Sequence, residues 1–180
     1  MKIKKYIQFM NERVERTGTY EYGCVLLELD LPGWDKLIST INKDDLYQPN
    51  DGRHGIETDP HVTLKFGVDK SVSNKEIEKI ISENPLTEKI HIEKIDLFQN
   101  EEFDVVKLKV TLTPQLVKIN QELSKLPNHD KFPEYKPHVT IAYVKPGLGN
   151  KYIVDNFDGY ANPYKIVYSK PDGEKFYYNI

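Results

Sequence analysis

Cysteine is almost missing from this chain of 180 residues: Cys24 stands alone. A single cysteine closes no disulfide within the chain and builds no zinc–thiolate cluster. The lack of disulfides fits a reducing compartment, and Cys24 itself reads as a small buried hydrophobe on a strand. Long apolar runs are missing too. No stretch approaches the roughly 20 residues of a membrane span, and the opening MKIKKYIQFM holds no apolar run of a secretory signal. A cytoplasmic protein that does not enter membranes is the expectation. Charge of one sign is scarce: 25 Lys and Arg stand against 28 Asp and Glu, a net charge of −3. That balance excludes a global field drawing in duplex nucleic acid, while a small anionic ligand at a local site stays allowed. No low-complexity segment or linker divides the chain. What is present, 38% hydrophobic and 29% charged residues, fills a core. The length suits one domain, 1–180, with room for two lobes.

Hydrophobic periodicity gives the order of elements. Ile3, Ile7, Met10 and Val14 predict an N-terminal helix ended by Gly18, so that residues 1–18 pack on the domain. Residues 20–31 predict a strand apolar on both faces, and Trp34, Leu37, Ile38 and Ile41 a helix over 33–47. Ser73 and Glu76 form a capping box ahead of Ile77, Ile80 and Ile81. Strands over 89–98 and 103–112 precede a helix opened by Thr113-Pro114 and carrying Leu116, Ile119, Leu123 and Leu126. Two aromatic strands, 164–169 and 175–179, are joined at Pro171-Asp172-Gly173.

One phrase occurs twice. DPHVTLKFGV (59–68) and KPHVTIAYVK (136–145) share Pro-His-Val-Thr, then an aliphatic residue, then an aromatic one. Each follows a polar loop and reads as a strand. The elements around them repeat as strand, helix, strand, which predicts an α+β fold of two related halves about a pseudo-twofold axis. Side chains on a strand alternate between faces. Val62, Leu64 and Phe66 therefore share a core face, as do Val139, Ile141 and Tyr143. His61, Thr63 and Lys65 point the other way, matched by His138, Thr140 and Ala142. With both strands beside the axis, two imidazoles and two hydroxyls converge.

Two imidazoles suit phosphoester cleavage, one as base toward the attacking oxygen and one as acid toward the leaving oxygen; unperturbed histidine titrates near neutrality. The hydroxyls of Thr63 and Thr140 can donate to non-bridging phosphate oxygens as charge builds there. A metal held across the cleft by the two histidines is an alternative, although a strand metal site favours His-x-His or nearby carboxylates. Two buried histidines bonded to backbone are the structural alternative.

The paired motifs His61-Val-Thr63 and His138-Val-Thr140 resemble those of the 2H phosphoesterases, and the element order from about Tyr20 onward is similar as well. The resemblance implies a bilobal fold with two antiparallel sheets around a central cleft and outer helices. It also implies cofactor-free, metal-independent chemistry on nucleotide phosphodiesters. Its substrates include 2′,3′-cyclic phosphates, 2′–5′ linkages and cyclic oligonucleotide signals. The chain is also similar in general look to phage-encoded members that destroy the cyclic nucleotides of bacterial CBASS immunity. A small nucleotide is thus the expected partner. A module that binds nucleotide without cutting it is the alternative outside enzymes.

Further residues are candidates for substrate contact. Lys65 could neutralise a phosphate, and its charge would make His61 the base and His138 the acid. Tyr22 could stack on a base. On the C-terminal hairpin Tyr164, Tyr168, Phe176, Tyr177 and Tyr178 flank Glu174; Tyr177 could close over a base with Glu174 on its edge. His54, His91 and His129 read as surface or loop residues.

Overall fold

The computed structural model describes residues 21–49, 54–132, 134–154 and 157–180. The helix expected over 2–16 and Tyr20 lie outside them. Seven antiparallel strands form the frame: β1 (Gly23–Asp30), β2 (His61–Val68), β3 (Ile90–Gln99), β4 (Asp104–Val110), β5 (His138–Val144), β6 (Gly159–Ser169) and β7 (Lys175–Asn179). Helices α1 (Trp34–Ile38), α2 (Asn74–Glu83) and α3 (Pro114–Leu123) connect them. The fold is α+β.

The strands run β1-β2-β5-β4-β3-β6-β7, and β6 also pairs with β1. Two half-sheets are visible in this ring, β7-β6-β1-β2 and β3-β4-β5. They meet at two narrow seams. Between β2 and β5 the register holds one pair, Val62 opposite Val139; between β3 and β6 it holds residues 90–92 against 159–161. Narrow seams leave the halves free to diverge into a cleft.

The halves are related in register as well as in order. Opposite β2 stand Glu28 for His61, Leu27 for Val62 and Leu26 for Thr63. Opposite β5 stand Lys109 for His138, Leu108 for Val139 and Lys107 for Thr140. Each ladder then slips at the same place. Leu64 and Ile141, one residue past the motif threonine, are left unpaired as β-bulges. A bulge inserts a residue and re-aims those beyond it. Val62, Leu64, Val139 and Ile141 are fully buried in the main core, as alternation predicts. Past the bulge alternation breaks. Phe66 and Tyr143 leave the main core. Phe66 takes the edge of Tyr22, and Tyr143 joins Phe103 and Val105 in a second cluster. Ala142 enters the main core in place of Tyr143.

A second slip in β2 leaves Gly67 unpaired at φ +76. A β-carbon there would lie 2.8 Å from the backbone nitrogen of Asp130, so the position requires glycine.

The capping box on α2 forms: Glu76 N donates to Ser73 Oγ, and Ser73 N donates to Glu76 Oε2. Thr113 caps α3, whose Leu116, Ile119 and Leu123 are buried. The helix expected over 33–47 is instead the short α1 followed by a 3-10 turn, Lys43–Asp45. Ser39 and Thr40 hydroxyls donate to the carbonyls of Lys36 and Leu37, a side-chain competition that ends helices. Strand β6 begins five residues before the expected 164, running through Pro163. Proline, which has no N–H for a ladder, sits beside the irregularity between Glu28 and Leu29 in the β1 ladder. Among the described residues no helix is long and apolar enough to cross a membrane.

Candidate active site

His61 and His138 are each the first residue of their strand and each follows a proline. The prolines have no N–H to give, but their carbonyls accept strand bonds, Pro60 from Leu29 N and Pro137 from Val110 N. The residue before each proline presents its carbonyl to the histidine ring. His61 Nδ1 lies 2.8 Å from Asp59 O, and His138 Nδ1 lies 2.9 Å from Lys136 O. A carbonyl only accepts, so Nδ1 carries the proton and donates in both rings. Both neutral rings are thereby fixed as the tautomer with a bare Nε2.

The seam sets their spacing. With Val62 opposite Val139, His61 falls opposite Thr140 and Thr63 opposite His138. The two histidines are diagonal neighbours across the seam, on the order of 7–8 Å apart at their backbones. Val62 and Val139 are fully buried on one face; the four motif side chains, all half-buried, stand on the other. The structure thus brings His61, Thr63, His138 and Thr140 together as the motif parity predicts.

Their surroundings differ in charge. Glu28, across the ladder from His61, bonds Lys165 at 2.8 Å and accepts from the hydroxyl of Tyr164 at 2.8 Å. Burial raises the Glu28 pKa, but the bonds to Lys165 and Tyr164 outweigh it and the net shift is downward; the charge of His61 adds to that lowering. Lys109, across the ladder from His138, is paired with Glu93, which raises the lysine pKa. The ion pairs are inverted between halves in register: a carboxylate stands across the ladder from one histidine, an ammonium across from the other. Lys107, opposite Thr140, is buried at 4% exposure and held 2.9 Å from Asp96. Burial lowers its pKa and Asp96 opposes that. Its ammonium lies 4.3 Å from the centre of the Phe98 ring, which meets His138 edge-on at 5.0 Å.

Of the four expected substrate residues, Tyr177 adjoins the site. It is exposed on β7, with the Lys165 ammonium 5.0 Å from its ring centre. Lys65 does not face the cleft as expected. The bulge at Leu64 turns it inward, where it is 6% exposed and bonded to Asp130 at 2.8 Å. The division of labour argued from its charge falls with it. Tyr22 lies six residues before Glu28 along the chain, roughly 20 Å along a strand, stacked on His129. Glu174 lies beyond the far end of β6, nine residues past Lys165, and bonds Lys170. These two positions fall at the opposite end of the strands from His61. His54 packs among Tyr47, Phe103 and Tyr143, His91 bonds Thr111 and Asp158, and His129 bonds Asp69.

Glu28, Lys107, Lys109 and Lys165 escaped the sequence reading because their relation to the histidines is a matter of strand register. A signal existed. Glu28 is the one charge within CVLLEL, and Lys107 and Lys109 alternate within VVKLKV. Charges on one face of an otherwise buried strand are the informative departure from apolar burial. Among the described residues no group of three or more His, Cys, Asp or Glu is arranged to hold a metal ion.

The 2′-5′ RNA ligase superfamily matches residues 29–165, 137 of the 180. No curated protein matches the chain. Among solved structures, Kluyveromyces marxianus Usb1 superposes with a TM-score of 0.56 at 10% identity, covering 89% of this chain and 98% of that one. Usb1 with uridine monophosphate gives 0.55 at 11% identity with the same coverage. E. coli LigT in apo form gives 0.48 at 14% identity, covering 89% and 94%. The likeness to Usb1 supports the fold. The chain belongs to the 2′-5′ RNA ligase superfamily, the 2H phosphoesterases, whose members act on phosphodiester bonds.

Proposed function

We propose that this chain is a metal-independent phosphodiesterase that hydrolyses small nucleotide phosphodiesters by two-histidine acid/base catalysis, with cyclic oligonucleotide signals as its substrate. The reading is supported by one observation: both motif histidines have Nδ1 bonded to the carbonyl two residues before, which makes Nε2 the proton-accepting nitrogen of each neutral ring. One neutral Nε2 takes the proton of the attacking oxygen as its bond to phosphorus forms. The other ring, protonated, gives its Nε2 proton to the leaving oxygen as that bond breaks. The hydroxyls of Thr63 and Thr140 donate to the non-bridging oxygens, where charge grows in the transition state.

A net charge of −3 suits a short substrate over a long RNA track. Cyclic di- and trinucleotides meet that condition, and the corresponding biological role is evasion of CBASS immunity by a phage-encoded enzyme. Membership of a superfamily named for 2′-5′ RNA ligation supports a second reading, a 2′,3′-cyclic phosphodiesterase or 2′–5′ processing enzyme at RNA ends. Incubation in EDTA with cyclic dinucleotides, cyclic trinucleotides, 2′–5′ oligoadenylate and 2′,3′-cyclic mononucleotides separates them by product. Turnover abolished by EDTA and restored by metal overturns the two-histidine mechanism. Tight binding without product makes the chain a binding module.

A further inference from the structure

Beside His138, and on its side of the seam only, lies a cavity of about 790 Å³. It is walled by β3, β4, α3 and the segment leading into β5, and no residue of β1, β2 or β6 lines it. Its size is that of pockets that enclose most of a small organic ligand. The charged side chains on its wall are three lysines and three carboxylates, joined as Lys107–Asp96, Lys109–Glu93 and Lys136–Glu134. With every lysine paired inside the same wall, the cavity offers no net attraction to a phosphate. Besides His138, the rest of its lining is apolar at Phe98, Val110, Leu112, Val117 and Pro137 and uncharged polar at Asn120, Gln121 and Tyr135, where the exposed Gln121 amide offers both a donor and an acceptor. An uncharged, flat group with a polar edge fits that lining.

We propose that this cavity is a nucleoside subsite. It holds the base and ribose on the His138 side of the scissile phosphate, and the phosphate itself stays at the mouth between the histidines. This rests on the proposed phosphodiesterase reading and deepens it by assigning base recognition to the half that carries His138. The opposite wall is of another kind. Beside His61 the tyrosines 164 and 177 are 47% and 59% exposed around Lys165, an open aromatic surface.

The test is equilibrium binding, which needs no turnover. Adenosine 3′-monophosphate, uridine 3′-monophosphate and methyl phosphate are titrated calorimetrically into the full chain. The two nucleotides are expected to bind at least about tenfold tighter than methyl phosphate. Leu112→Trp and Gln121→Trp fill the cavity from its rim. Leu112 is 50% exposed and Gln121 is exposed, so both variants are expected to melt within a few degrees of the parent. Each should erase the nucleotide advantage and leave methyl phosphate affinity within twofold. Nucleotide affinity untouched by both fillings, or lost instead through Tyr164→Ala and Tyr177→Ala, overturns the subsite. Equal affinity of the parent for nucleotides and methyl phosphate overturns it too. Absence of turnover on the substrate panel, with these affinities as expected, overturns the phosphodiesterase reading alone.

Discussion

Strands β2 and β5 are the same machine part fitted into different housings. Both begin with a histidine held through Nδ1 by the carbonyl two residues upstream, both carry a threonine two places on, and both slip at the next residue. Even the unpaired bulge carbonyls are satisfied from the opposite half. Leu64 O accepts from the Asn120 side chain on α3, and Ile141 O accepts from the backbone N–H of Glu57. Around these strands little is shared. The His61 half presents a carboxylate and open tyrosines; the His138 half presents an ammonium and a cavity. The difference teaches that the motif fixes the geometry of its own strand, while the walls around the two strands have diverged.

The equivalence of the strands is broken most severely at the histidines. His61→Ala and His138→Ala are each expected to lower kcat by at least about 10²-fold. The double variant should fall little below the weaker single one, because the rings act as a unit. Steady-state rates on any substrate of the panel check this; a full-activity His61 variant would dissolve the symmetry of function. Thr63→Ala and Thr140→Ala should each cost roughly tenfold, in kcat with KM steady, since their donation matters most in the transition state.

The inverted ion pairs sharpen the comparison. Parent activity should follow a bell in pH, one limb for the acid and one for the base. Glu28→Gln and Lys109→Met each alter the charge across the ladder from one histidine, and each is expected to displace one limb while the other stays. The limb moved by Glu28→Gln assigns His61: the alkaline limb makes it the acid, the acid limb makes it the base.

The smallest effect is on stability. Glu28 is held below its ordinary pKa of 4.5, with burial opposing and Lys165 and Tyr164 prevailing. Glu93 is held below 4.5 chiefly by Lys109. A lowered carboxylate stabilises the fold above its unfolded pKa and loses that contribution as pH falls through the folded value. Glu28→Gln should therefore cost about 0.5–1 kcal/mol at pH 7, a cost that shrinks as pH falls below 4.5 and through the folded value. Urea unfolding followed from neutral into the acid range measures it. Glu93→Gln should show the same sign, which makes the halves alike in stability where they differ in chemistry.

The placement of the motif quartet on one face was legible because it depends on local rules: strand parity places His61 with Thr63 and His138 with Thr140, and duplication pairs the strands. The capping box at Ser73 and the cap at Thr113 were legible for the same reason. The wall residues depend on distant partners. Lys65 was misplaced because a bulge is a property of two strands, and nothing in LKFG reveals that Leu64 lacks an opposite. The closing of the strands into one ring was hidden in the long β6, whose Pro163 masks its continuity. Tyr22 and Glu174 were misjudged because aromatic and acidic character carries no information about which end of a strand lies at the cleft.

The bond from each histidine to its own upstream carbonyl is closed within three residues of chain. Movement of one half relative to the other leaves it intact. The contact that fixes the proton on Nδ1 of each ring thus owes nothing to the single residue pair that joins the two strands. Two properties are thereby separate: the spacing of the two rings is set by the register between strands, while the tautomer of each travels with its own tripeptide. A Pro-His-x-Thr strand of this kind is a transplantable unit. Its proton inventory is expected to survive in any antiparallel sheet that accepts its register, whatever walls are built around it.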